Sequence, residues 1–240
     1  DRRSMWPDLA ERRREPEWMD DPSLPAAEHD AALRGLARLN VAARSHMILW
    51  RPLERLARSA RREGRPLRVL DVATGSGDLP LAMARRARRL GLDIQWSVCD
   101  ASAHALDTAR RRAIRAGFDL TAHRLDATVD ELPATDVSTC SLFVHHLDPP
   151  QVTGLLARMR RASAMALGVN DLERSRLGYV LAWISGRLLS RSPVVHHDAP
   201  VSVQGGFRME EIARLARSAG LVDARLDRTW PARWRLWWQA

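Results

Sequence analysis

The chain has no lysine. All 38 of its basic residues are arginine, against 29 acidic residues, for a net charge of +9. Such an excess invites a nucleic-acid partner. The arginines argue against one, because they spread over almost every helical segment (Arg12 to Arg14, Arg85 to Arg89, Arg110 to Arg112, Arg158 to Arg161). A bias toward arginine, alanine and leucine is what a GC-rich genome produces, and the charge reads as solvated surface.

Cysteine is scarce as well. Cys99 and Cys140 each stand alone in an apolar run, which excludes a disulfide framework and fits buried thiols in a reducing cytoplasm. No apolar run approaches the roughly 18–20 residues of a membrane span. No secretory signal opens the sequence, so the expected location is cytoplasmic. No His/Cys/Asp spacing suits a structural zinc, and no metal is expected. Internal repeats and low-complexity segments are absent. So are the dinucleotide fingerprint G-x-G-x-x-G and the Gly-Lys-Ser/Thr end of a phosphate-binding loop.

What is present suits one large α/β domain with a helical cap. Residues 1–28 are rich in Pro, Asp, Glu and Arg, and read as an arm partly ordered by docking Trp6 and Trp18. Residues 29–40 and 41–63 carry apolar positions near the 3.6 period and read as helices, with Pro52 a potential kink. Strands are expected at 67–72, 94–99, 120–125, 137–144 and 164–169, and a closing pair at 221–229 and 234–238. Helices are expected at 78–90, 103–116, 149–162, 173–190 and 209–219. Residues 192–206, with His196-His197-Asp198, read as a loop. The division is an N-terminal arm and helical lid at 1–66 and a ligand-binding domain at 67–240, with an insertion at 173–206 covering the substrate.

The organising stretch is Leu67 to Pro80. A buried strand ends at Asp71-Val72, a small-residue turn follows, and a helix opens at Asp78, the geometry that brings backbone N–H groups against a nucleotide-like ligand. Asp71-x-Ala73-x-Gly75-x-Gly77 resembles motif I of the class I S-adenosylmethionine (SAM)-dependent methyltransferases. Ala73 replaces the usual first glycine, and alanine does not take φ > 0 cheaply. Asp100 ends the second strand roughly 20 residues beyond the turn, where an α/β nucleotide site holds ribose hydroxyls. A carboxylate suits a diol because it only accepts hydrogen bonds.

The resemblance implies a doubly wound, mostly parallel seven-stranded sheet of order 3-2-1-4-5-7-6. It also implies SAM as cofactor, becoming S-adenosylhomocysteine (SAH), with Asp71, Ala73, Gly75, Gly77, Asp100, Ala101, Asp126, Ala127 and Ser141 around it. Asp126 would meet the adenine amino group. Ser-Leu-Phe-Val-His-His-Leu (141–147) and Asn170-Asp171-Leu172 resemble the branch containing ubiquinone/menaquinone-type and natural-product enzymes.

Methyl transfer to an alcohol or phenol needs alignment and a proton acceptor. Imidazole titrates in the right range. His145 and His146 are the candidates for the base, and if the chain stays extended there only one of them reaches the cleft. His196 and His197 are in reserve. His46, Tyr179, Trp183 and His197 are expected around a hydrophobic or aromatic acceptor, while His29, His104 and His123 read as surface or strand residues. The expected reaction is O-methylation of a phenol or enol in secondary metabolism. C-methylation of a quinone-type or polyketide ring, and RNA methylation, are the alternatives. The expected partner is a small-molecule acceptor rather than nucleic acid, with the protein a monomer or homodimer.

Overall fold

The first strand, β1 (Leu67–Val72), is buried at every position but Arg68, as a central strand covered on both faces must be. Alternation divides its side chains. Leu67 and Val69 join one core layer with Leu49, Trp50, Leu53, Met83 and Trp96, while Leu70 and Val72 join another with Leu155, Leu156, Met159 and Trp234. The structure, a computed structural model, describes residues 7–21 and 23–240. The expected docking of Trp6 lies outside them.

Around β1 the sheet runs β3-β2-β1-β4-β5-β7-β6, the expected order. Strands β2 (Ile94–Asp100), β3 (Thr121–Arg124), β4 (Thr135–Ser141) and β5 (Ser163–Leu172) continue it in parallel, and β6 (Arg225–Thr229) and β7 (Arg233–Gln239) close it antiparallel. Helices α3 (Asp78–Arg89), α4 (Ala103–Ala116), α5 (Pro149–Ala162) and α8 (Met209–Ser218) are its crossovers.

The N-terminal helices are α1 (Ala26–Ala42) and α2 (Ser45–Arg62), divided at Arg44, which is left-handed at φ 49°. Pro52 does not break α2. It cannot donate to the Ile48 carbonyl one turn back, and Arg235 donates there instead at 3.3 Å.

Two expectations need correction. Residues 193–205 form a helix, α7 (Pro193–Gly205), and not a loop. Pro193 occupies the first turn, where a missing N–H costs nothing. Val194, Val195, Val201 and Val203 are buried, so packing overrides the poor propensity of a segment containing Pro200. And β4 stops at Ser141: Leu142 turns left-handed at φ 56°, and a 3-10 turn runs over Val144–His146. The histidines therefore do not alternate across an extended strand.

Helix α6 (Arg176–Leu189) and α7 pack on each other and on α1, beyond the carboxyl ends of the strands. The arm crosses the same end. Arg12 donates to the carbonyls of Gly205 (2.6 Å), His145 (2.8 Å) and Leu147 (2.8 Å). The Asp198 carboxylate accepts the N–H groups of Trp18 and Met19.

Candidate active site

The turn after β1 places three residues of the motif in the left-handed region: Ala73 at φ 52°, Gly75 at 55° and Gly77 at 74°. Only glycine takes this freely, so Ala73 stores strain. A Cβ on Gly77 would sit 3.0 Å from the Ala109 methyl, so glycine is what lets α4 approach the turn. A Cβ on Gly75 would meet nothing within 4 Å among the described residues beyond its chain neighbours.

Asp100 ties the turn to β2, its two oxygens accepting the N–H groups of Gly75 (2.8 Å) and Ser102 (2.9 Å). Asp71 points beneath the turn. Its carboxylate accepts the Thr139 hydroxyl at 2.7 Å, and burial pushes its pKa up to about 6. It lines neither cavity described below.

A cavity of about 340 Å³ opens at the ends of β1, β2 and β3, lined by Ala73, Gly75, Asp100, Ala101, Leu125, Asp126, Ala127, Phe143 and His146. Its lining carries two carboxylates, Asp100 and Asp126. Asp126 is fixed by the Thr128 N–H (2.8 Å) and hydroxyl (2.7 Å). The arrangement offers hydrogen-bond acceptors, an aromatic face and room for a flat ligand.

A larger cavity, about 510 Å³, shares Ala73, Gly75 and His146 with the first and extends toward α1 and α6. Its lining includes Ser141, Leu142, His145, Glu17 and Arg233, with Leu33, Leu36, Leu39, Leu181 and Leu189 among its apolar walls.

The two histidine rings stand 4.2 Å apart, centroid to centroid. His145 is buried, its Nδ1 2.7 Å from Asp171 Oδ1 and its Nε2 3.7 Å from Glu17 Oε1. Burial disfavours the imidazolium, but the two carboxylates outweigh it and raise the pKa to about 10. His146 moves the other way, to about 4, through burial and the charge of His145. At neutral pH one imidazole is a cation and its neighbour a neutral base. Glu17 also accepts the Ser202 hydroxyl. Its carboxyl is held below the usual range: burial raises it, but the two histidines and Ser202 outweigh that.

Ligand atoms of Glu17, His145 and His146 come within 4.8 Å of one another, close enough to share an ion. A metal ligand must be deprotonated at the coordinating nitrogen. Both nitrogens of His145 face carboxylates, the pattern of a protonated ring.

Several residues expected at the site lie elsewhere. His46, Tyr179 and Trp183 are outside both cavity linings. Trp183 is exposed, under the Arg187 guanidinium at 4.0 Å. His197 stacks on Trp18 and pairs with Asp198 at 2.8 Å, and His196 Nε2 faces the Ser190 carbonyl at 2.8 Å. Neither lines a cavity. Gly77 shapes the turn without lining either space. Residues given no site role from the sequence do line the larger cavity: Glu17, from an arm without periodicity, and Arg233, from a strand read for its tryptophans. Asp171 stood out only as a polar strand end.

Residues 69–164 match a family described as a methyltransferase domain. Among curated proteins the chain is similar to a ubiquinone/menaquinone biosynthesis C-methyltransferase of Rickettsia felis, 36% identical over 29% of this chain and 28% of that protein. It is also similar to a ubiquinone biosynthesis O-methyltransferase of Leptothrix cholodnii, 29% identical over 65% of this chain and 64% of that one. The chain thus spans less than two thirds of these relatives' lengths. Two of the solved structures that share its fold are methyltransferases. One is a plantazolicin methyltransferase in complex with a pentazolic desmethylPZN analog and SAH (TM-score 0.58, 12% identity, 89% of this chain and 98% of that one). The other is the magnesium protoporphyrin IX methyltransferase of Synechocystis with bound SAH (TM-score 0.52, 14% identity, 80% and 83%).

Proposed function

We propose, for a chain whose residues 69–164 match a methyltransferase domain and whose sheet has the order 3-2-1-4-5-7-6, transfer of a methyl group from SAM to a hydrophobic or aromatic small molecule. The observation that carries this is the junction of the two cavities at Ala73, Gly75 and His146. One space is bounded by carboxylates at strand ends, the other by apolar side chains, and a neutral imidazole stands between them.

The smaller cavity fits the adenosine part of SAM. Asp100 accepts from the ribose diol, Asp126 from the adenine amino group, and Phe143 and Ala127 bound the ring. When bound, SAM supplies an electrophilic methyl on a sulfonium, so the chain's own task is alignment and proton removal. His146, neutral near pH 7, accepts the proton of a phenol or enol. His145, held cationic by Asp171 and Glu17, favours the oxyanion beside it. The arm completes the enclosure by carrying Glu17 to the histidines, and α1, α6 and α7 form the cap over the acceptor.

O-methylation uses this base directly. C-methylation of an activated ring remains the second reading, since the same base and cavity serve it and a C-methyltransferase is among the relatives. Calorimetric titration tests the assignment: SAH binds the wild type, and Asp100→Ala weakens it by about 10–150-fold through loss of charge-assisted hydrogen bonds. Unchanged affinity in a folded variant removes Asp100 from the site.

A further inference from the structure

Among the described residues two arginines are almost wholly buried, and they differ in how their charge is met. Arg174, 2% exposed, is saturated. Its guanidinium donates to both oxygens of Glu211 (2.7 and 3.0 Å) and to the carbonyls of Leu9, Ala10 and Gly206. Arg233, 6% exposed, makes one hydrogen bond, to the Ser45 hydroxyl at 2.5 Å, and its Nε has no partner. Among the described residues no carboxylate pairs with it. The nearby Asp171 is already spent: Oδ1 faces His145 Nδ1 and the Leu172 N–H, and Oδ2 accepts the His145 N–H.

A buried guanidinium without a counter-charge is unfavourable unless something else supplies one. Burial draws the Arg233 pKa down to about 10, Asp171 only partly opposing it, so the side chain remains a cation near neutrality. Arg233 also lines the larger cavity, and among the described residues it is the only arginine that does. A single guanidinium suits a monoanion taken by its planar fork, and a carboxylate has the matching geometry. A phosphate dianion would call for further cations.

We infer that Arg233 anchors a carboxylate on the methyl acceptor, so the acceptor class is an apolar carboxylic acid whose body lies against Leu33, Leu36, Leu39, Leu181 and Leu189. The inference rests on the methyltransferase reading above. The same chemistry could come from the amino-acid carboxylate of the cofactor, which the experiment separates.

SAH binding to the wild type is measured first and tests the underlying reading alone. Decanoate and 1-decanol, equal in length and differing in charge, are then titrated calorimetrically into SAH-saturated protein. Decanoate binds at least about tenfold more tightly. In Arg233→Met the preference disappears, while SAH affinity stays within about threefold. Equal binding of the two probes by wild type overturns the inference. So does a decanoate preference that survives in Arg233→Met. Loss of SAH affinity in that variant with no decanoate preference in wild type assigns the guanidinium to the cofactor and also overturns it. Should Arg233→Met fail to fold, Arg233→Lys keeps the charge without the fork, and a preference reduced but present in it supports the inference. The wild-type comparison needs no variant.

Discussion

His145 is held by Asp171 at two points: the imidazole Nδ1 lies 2.7 Å from one carboxylate oxygen, and the backbone N–H of the same residue donates to the other at 2.9 Å. The end of β5 thereby fixes both the ring and the main chain of the turn that follows β4. The carboxylate also decides which of the two neighbouring imidazoles carries the proton.

That pairing makes stability depend on pH. The folded pKa of His145, about 10, lies above the ordinary histidine value near 6.5. Between these values the folded protein keeps a proton that the unfolded chain has released. Its contribution is complete below about 6.5 and is lost as pH rises toward 10. Denaturant unfolding at about pH 6, 8 and 9.5 should show stability falling with pH in wild type. In His145→Gln that slope should flatten. An identical slope in the variant would remove His145 from the account.

His146 should behave as a catalytic group rather than a structural one. With an acceptor in hand, His146→Ala should lower kcat by at least about 100-fold, with SAH affinity kept. His196→Ala and His197→Ala should leave kcat near wild type, since neither lines a cavity. If all three retain wild-type kcat across pH, histidine base catalysis is excluded, and the acceptor must arrive ionised or react by alignment alone.

Ala73 gives a test of the turn itself. It holds φ 52°, which costs an L-residue roughly 1–2 kcal/mol. Ala73→Gly relieves that strain but frees the unfolded chain, which takes back about 0.4–1 kcal/mol. Thermal unfolding should therefore show the variant equal to or slightly more stable than wild type, with SAH affinity unchanged. A clear loss of stability would mean that the alanine methyl packs against something the turn needs.

The sheet order was legible because each β-α unit carries its own punctuation. Apolar runs mark the strands, Gly75 and Gly77 mark the turn, and Ser102 and Gly117 bracket α4, the serine hydroxyl accepting the Ala105 N–H as a cap does. The acids at strand ends followed from the same logic. What escaped was long-range. Glu17 sits in a segment with no period of its own and reaches His145 through contacts distant in sequence: Arg12 anchors the arm across α7 and the turn after β4, and Asp198 holds the N–H groups of Trp18 and Met19. Helix α7 was hidden by two prolines and a polar His-His-Asp triplet, and buried valines decided it. Tyr179 and Trp183 were expected at the acceptor from residue type alone. Helix α6 is apolar on both faces, so its periodicity could not say which face meets the cavity; Leu181 and Leu189 do, and Trp183 does not.

The central claim is that the space beside Gly75 belongs to a cofactor, and Gly75→Val tests it most directly. Its chain neighbours apart, no atom of the described residues lies within 4 Å of a Cβ at this position, so they offer the new side chain little to strike beyond the cost of its positive φ. Calorimetric titration should show SAH binding to wild type and a loss of at least about 100-fold in the folded variant. A folded Gly75→Val protein that binds SAH as wild type does, or a wild type that does not bind it at all, would contradict the account.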